Sequence, residues 1–293
     1  MPIFWSVLFF VLGALIGSFL NVCIYRLPRG KSIVTPGSSC TLCGAPIHFY
    51  DNIPIISYMV LRGRCRHCKA VISGRYVVVE LLTALLYAAL FSIYGFSIEL
   101  PVVLLFASLL IVISFIDLDF RIIPDILSLG GIIAGLVLSL FRSSIPGDPS
   151  LQPSISYLSK WPALLPSLVG ILLGGGILWV IAELYARARK QEGMGGGDIK
   201  LLAMFGAFYG WEGAIFSLVS ASFVGSLVGL PLALLNRKGL KYEIPFGPFL
   251  CFGALLYVFL SPNHRVLNDL VVGFSQVSEW LVALIGRALR SGG

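Results

Sequence analysis

The chain has 293 residues, is 57% hydrophobic and only 12% charged, and carries a net charge of +7. Soluble globular chains carry about twice that share of charged residues, and the mean hydropathy of +0.93 points the same way. The composition excludes an ordinary soluble domain, and the positive charge follows membrane topology rather than marking a nucleic-acid binder.

Apolar runs of about 20 residues read as transmembrane helices, which satisfy their own backbone groups in lipid. Runs are expected near residues 3–23, 76–94, 100–118, 126–141, 162–183, 199–210, 214–235 and 246–260. The fold class is therefore an all-α polytopic membrane protein, with about eight transmembrane helices and a small loop domain on one side. The first run lacks a basic flank and a small-residue cleavage site, so it is read as a retained span rather than a signal peptide. The sixth run is short and Gly-rich, as in a tilted segment or one tucked inside the bundle.

Residues 24–75 form the one sizeable extramembrane segment before the second span. They hold Arg26, Arg29, Lys31, Arg62, Arg64, Arg66, Lys69 and Arg75. On the same side fall Arg121, then Arg187, Arg189, Lys190 and Lys200, then Arg237, Lys238 and Lys241. The opposite connections hold only Arg142, Lys160 and Arg265. The positive-inside bias makes the sixteen-residue side cytoplasmic and starts the N-terminus outside. The tail 261–293 has apolar residues at helical spacing interrupted by Asp269, Gln276 and Glu279. It is expected as an amphipathic helix at the outer interface, with a ninth span as the alternative. The expected division is a first span (1–23), a cysteine-bearing loop (24–75), a membrane core (76–260) and this tail.

Within the loop lie Cys40-x-x-Cys43 and Cys65-x-x-Cys68. Two such pairs about twenty residues apart suit a tetrahedral zinc site. A reducing cytoplasm disfavours disulfides. His48 and His67 lie nearby, but four thiolates already complete the shell. Cys23 and Cys251 read as small buried hydrophobes.

Acidic residues gather at the cytoplasmic boundary rather than in mid-span, which argues against an ion pump or transporter. The third span runs into SFIDLDFRIIPD, with Asp117, Asp119 and Asp125. The fifth is followed by Met194-Gly195-Gly196-Gly197 and then Asp198 at the start of a helix. Each acid alone has a bland reading, as a helix cap or a surface partner. Together they make an acid–base pair: two nearby carboxylates share one proton, one activating water and the other polarising a carbonyl. A helix N-terminus favours negative charge, which nominates Asp198 as the base.

These residues resemble the bacterial type IV prepilin peptidases, also called prepilin leader peptidase/N-methyltransferases. The likeness runs in order through GSFLNVCIYRLPRG, the CxxC loop with DNIPIISYMVLRGRCRHC, SGRYVVVELLTALL, FIDLDFRIIPD, MGGGDIKLLAMFGAFYGW and IPFGPFLCFGA. It implies a GxGD-type aspartyl protease with Asp117 and Asp198 as the catalytic acids. Asp119, Gly195, Gly197 and Lys200 fall in a supporting position in the same motifs. It implies cleavage of type IV prepilins and type II secretion pseudopilins at the inner membrane. It also implies methylation of the new N-terminus with S-adenosylmethionine. No separate motif for the methyl donor is present; Glu80 in VELLTA is the candidate, or it merely opens the second span beside Arg75. The competing reading is a zinc-stabilised membrane scaffold without enzymatic activity.

Overall fold

The computed structural model describes residues 2–142, 164–189, 195–235 and 245–260. The expected C-terminal helix, residues 261–293, lies outside them. The described residues are almost entirely helical: α1 (Pro2–Arg26), α2 (Ile56–Val60), α3 (Arg75–Tyr94), α4 (Leu100–Phe120), α5 (Asp125–Arg142), α6 (Leu164–Arg189), α7 (Gly196–Leu235) and α8 (Gly247–Leu260). Helix occurs at each of the eight expected positions. Five helices (α1, α3, α4, α6 and α7) are long and apolar enough to cross a membrane, while α5 and α8 are shorter apolar helices.

A straight 40-residue helix would run about 60 Å, twice the hydrocarbon thickness of a bilayer. α7 avoids that length through a break at Gly210, whose φ of 70° and ψ of −172° are non-helical. The two halves then run side by side. A side chain placed on Gly174 of α6 would meet Leu202 of the first half at 2.7 Å and Ala214 of the second at 3.1 Å. In a straight helix those two residues would stand about 18 Å apart. The first half is the segment expected to be short and tucked in, and residues Leu201 to Phe208 are all buried. They pack with Phe106 of α4, whose ring lies 5.8 Å from Phe205 and 4.7 Å from Phe208.

Lipid tails are as apolar as leucine, so helices associate in a membrane through close packing of small residues rather than through water exclusion. Small residues four apart recur at three contacts. Gly13 and Gly17 of α1 abut Ala84 and Glu80 of α3. Gly131 and Gly135 of α5 abut Met204 and Ala207 of α7. Gly170 and Gly174 of α6 abut Gly206 and Leu202 of α7. At Gly206 an added Cβ would fall 2.1 Å from the Gly170 carbonyl oxygen.

Gly206→Leu is therefore expected to lower the thermal midpoint of the detergent-solubilised protein, with a cost of about 1–3 kcal/mol from overpacking. Gly176→Leu, where an added Cβ meets nothing within 4 Å, is the control and leaves the midpoint in place.

Candidate active site and cysteine domain

Asp117 lies three residues before the end of α4, and that end is tightly defined. Arg121 adopts a left-handed conformation (φ 55°, ψ 36°), and its amide donates to the Asp117 carbonyl at 2.8 Å. This is the αL way of ending a helix, here without glycine. The Asp117 side chain is buried. Its Oδ2 accepts a hydrogen bond from the Gly247 amide at 3.1 Å. Gly247 is the first residue of α8, so the carboxylate rests on an unsatisfied helix N-terminus, where negative charge is stabilised. Any side chain here would have to displace that carboxylate. A Cβ there would lie 2.6 Å from Asp117 Oδ2.

Asp198 is the third residue of α7, and its amide donates to the Gly195 carbonyl at 3.1 Å. The Asp117 and Asp198 carboxylates are close enough to act on each other electrostatically, and both act on the buried Cys251 of α8. Ile123, in the α4–α5 turn, joins the two helix starts. Its side chain would meet a Cβ on Gly197 at 2.9 Å and one on Gly247 at 3.4 Å. The glycine before Asp198 thus admits a neighbouring side chain. Both carboxylates sit at helix N-termini, so the argument that nominated Asp198 as base applies equally to Asp117.

The other acids of these motifs are engaged elsewhere. Asp119 pairs with Arg75 at the start of α3. Lys200 donates to Asp125 at 2.6 Å, fixing the start of α7 to the start of α5. Gly195 is exposed and lies in the turn before α7. Sequence reasoning missed Gly247. It belongs to the quoted IPFGPF stretch, but glycine offers no functional group, and only the folded chain shows what its amide touches.

The extramembrane segment is built around two matching turns. In the first, the Cys40 amide donates to the Ala45 carbonyl and the Gly44 amide donates back to the Cys40 carbonyl, both at 2.9 Å. In the second, the Cys65 amide donates to Ala70 at 2.9 Å and the Lys69 amide to Cys65 at 3.0 Å. Gly44 and Lys69 both have positive φ, which closes each turn. The four sulfur atoms converge within 4.8 Å of one another, a geometry able to hold a metal ion. Backbone amides of Cys43 and Leu42 pull the Cys40 thiol down to about 6. Metal–sulfur bonds of about 2.3 Å in a tetrahedron set sulfurs about 3.8 Å apart. The Cys40 and Cys68 sulfurs are 3.9 Å apart. His48 stacks on Tyr50 at 5.1 Å instead of joining the cluster.

The segment is fastened to the helices at two places, and at a third α1 is tied to α3. Arg26 of α1 donates to the Ser32 and Gly37 carbonyls at 3.0 and 3.1 Å. Asn21 of α1 donates to the Tyr76 carbonyl of α3 at 3.0 Å. Glu80 of α3 is buried and accepts the Ile55 amide at 2.7 Å. Ile55 has a positive φ of 63°, an uncommon conformation for a β-branched residue.

The model of the bacterial peptidase A24 N-terminal domain matches residues 11–94, and that of the type IV leader peptidase family matches residues 104–230. Similar curated proteins carry the name prepilin leader peptidase/N-methyltransferase. The one from Pseudomonas putida is 33% identical, covering 93% of this chain and 96% of its own length. The one from Aeromonas hydrophila is 34% identical over 87% and 90%. The one from Myxococcus xanthus is 39% identical over 83% and 67%. No solved structure matches.

Glu80→Ala leaves the Ile55 amide without its acceptor, a loss of about 1–3 kcal/mol for a partner of a charged group. The expected result is faster amide exchange at Ile55 and faster proteolysis within residues 30–74. Glu80→Gln keeps an acceptor oxygen and restores most of the protection.

Proposed function

The chain belongs to the type IV leader peptidase family, and on that footing we propose that it removes the leader peptide from type IV prepilins and type II secretion pseudopilins and methylates the N-terminus so exposed. One observation supports the peptidase half: Asp117 rests on the amide end of α8 at Gly247, and Ile123 packs against both Gly247 and Gly197, the residue before Asp198. Asp117, Asp198 and Gly247 are the residues proposed for the reaction. Asp119, Gly195, Gly197 and Lys200 support it by fixing helix ends.

The pair holds one proton between its two carboxyl groups, because two adjacent carboxylates do not ionise together readily. The ionised member takes a proton from water, and that water attacks the scissile carbonyl carbon. The protonated member donates to the carbonyl oxygen. Collapse of the tetrahedral intermediate breaks the C–N bond, with the proton delivered to the leaving amine. The Gly247 amide engages Oδ2 of Asp117 and holds that carboxyl group in one orientation while the proton moves. The acid and base roles belong to the pair and exchange within one turnover.

The bulk of the Lys and Arg residues on one side supports a multi-pass protein of the bacterial inner membrane with this site toward the cytoplasm. The sulfur spacing supports zinc as the ion in the Cys40, Cys43, Cys65 and Cys68 cluster. Zinc so held supplies a cross-link to a segment with little apolar core of its own. S-adenosylmethionine supplies the methyl group in the second activity. Glu80 is spent on the Ile55 amide, which supports an anchoring role rather than contact with the donor.

Asp117→Ala and Asp198→Ala are each expected to lower prepilin cleavage by about 10²–10⁴-fold or more, read as leader loss by mass. Cleavage undiminished in either would sink the paired-acid mechanism. Gly247→Ala keeps the amide but pushes a methyl group against Asp117, and displacement on the order of 1 Å costs about 10²-fold. Gly130→Ala, where an added Cβ meets nothing within 4 Å, leaves the rate unchanged. Cys40→Ser and Cys68→Ser are expected to lower bound zinc from about one ion per chain, measured by elemental analysis. Unchanged stoichiometry would count against the cluster.

A further inference from the structure

A single short helix of the extramembrane segment carries an uncovered apolar face. Ile56, Met59 and Val60 stand at i, i+3 and i+4 of α2, on one side of the helix. They are 59%, 70% and 70% exposed. Ser57, at the flank of this face, is buried and donates to the Tyr50 carbonyl at 2.9 Å. Ile53, one turn earlier, and Phe49 are exposed as well.

The depth of this face follows from its anchor. The Ile55 amide, at the start of α2, is bonded to Glu80. Glu80 lies five residues into α3, about 7.5 Å along the helix from Arg75. Arg75 begins the apolar length of α3 that is fit to cross a membrane. α2 therefore lies beside the first turns of a spanning helix and not out in the aqueous phase. Its apolar face is left uncovered at that depth.

Directly after α2 the chain turns into a cationic crevice of about 420 Å³, lined by Leu61, Arg62, Arg64, Cys65, Arg66 and Lys69. Arg66 is paired with Asp51 through two hydrogen bonds of 2.7 and 2.6 Å. Arg62, Arg64 and Lys69 are exposed and have no acidic partner among the described residues. Three unpaired cations next to an apolar face at interfacial depth match a phosphate-bearing surface over a hydrocarbon layer. Uncharged lipid headgroups would leave the cations uncompensated, whereas anionic headgroups neutralise them.

We propose that α2 and the crevice behind it form a lipid clamp: Ile56, Met59 and Val60 insert at the acyl boundary, and Arg62, Arg64 and Lys69 hold the headgroup of an anionic phospholipid. The contact fixes the cysteine domain flat against the membrane. It uses none of the residues proposed for peptide cleavage.

The test uses the full chain in nanodiscs containing a photoactivatable phosphatidylglycerol or phosphatidylcholine, with cross-linked peptides identified by mass spectrometry. Residues 53–69 are expected to be labelled by both lipids. The anionic one is favoured by at least about fivefold, the gain from a single cation near an anionic surface. A variant with Arg62, Arg64 and Lys69 all changed to Ala brings the ratio close to one while the uncharged lipid still labels α2. Met59→Asp lowers labelling by both lipids. Thermal midpoints matching that of the unaltered protein confirm that the variants are folded. Absence of label from residues 53–69, or a ratio untouched by removing the three cations, would overturn the proposal. So would displacement of the label by added prepilin, which would give this face to the substrate.

Discussion

A carboxylate in a helical membrane bundle is stable only where the protein itself supplies what water would have supplied. At Asp117 that supply is the free amide end of α8, reached through Gly247. The contact decides much of the local architecture. α8 must begin level with the last turn of α4, and α4 must stop within one turn of Asp117, which the left-handed Arg121 accomplishes. The first half of α7 starts close by, since the side chain of Ile123 packs against both helix starts. Small residues along α5, α6 and α7 let the backbones come near enough for these ends to converge.

The cysteine segment is joined to the bundle by polar contacts, to which Ile33 adds an apolar one against the cluster that includes Leu20, Ile24 and Val79. Glu80 takes the Ile55 amide, Arg26 holds the 32–37 strap, and Arg75 pairs with Asp119 near the end of α4. The last of these connects the two halves of the protein, since Asp119 is two residues from Asp117. The proposed cleavage and methylation act in sequence on one chain terminus, and this ion pair joins the two matched regions.

Much of this was legible in the sequence because it depends on local pattern. The eight helical positions follow from apolar runs, and the cysteine cluster follows from spacing, since two short turns each bring two thiols together. Even the division of α7 could be read, because Gly210 and Trp211 interrupt the apolar run. The proposed pairing of Asp117 with Asp198 rests on their shared face and depth at the membrane boundary and on motif order. What remained hidden depends on contacts distant in sequence. Gly247 is 130 residues from Asp117, and its role is played by a backbone amide that every non-proline residue possesses. Glu80 reads as a helix-opening acid until Ile55 is seen beside it. The apolar face of α2 is too short to register as a helix by periodicity, and its meaning comes only from its depth.

The central claim is that Asp117 and Asp198 act as one unit. It is tested most directly by comparing the single variants Asp117→Ala and Asp198→Ala with the double variant, using a purified prepilin and single-turnover cleavage rates. Residues that share a proton and a transition state are grossly non-additive. The account predicts that the double variant is no slower than the slower single variant. Losses that multiply, so that the double variant is slower by the product of the two single effects, would show independent roles and contradict it.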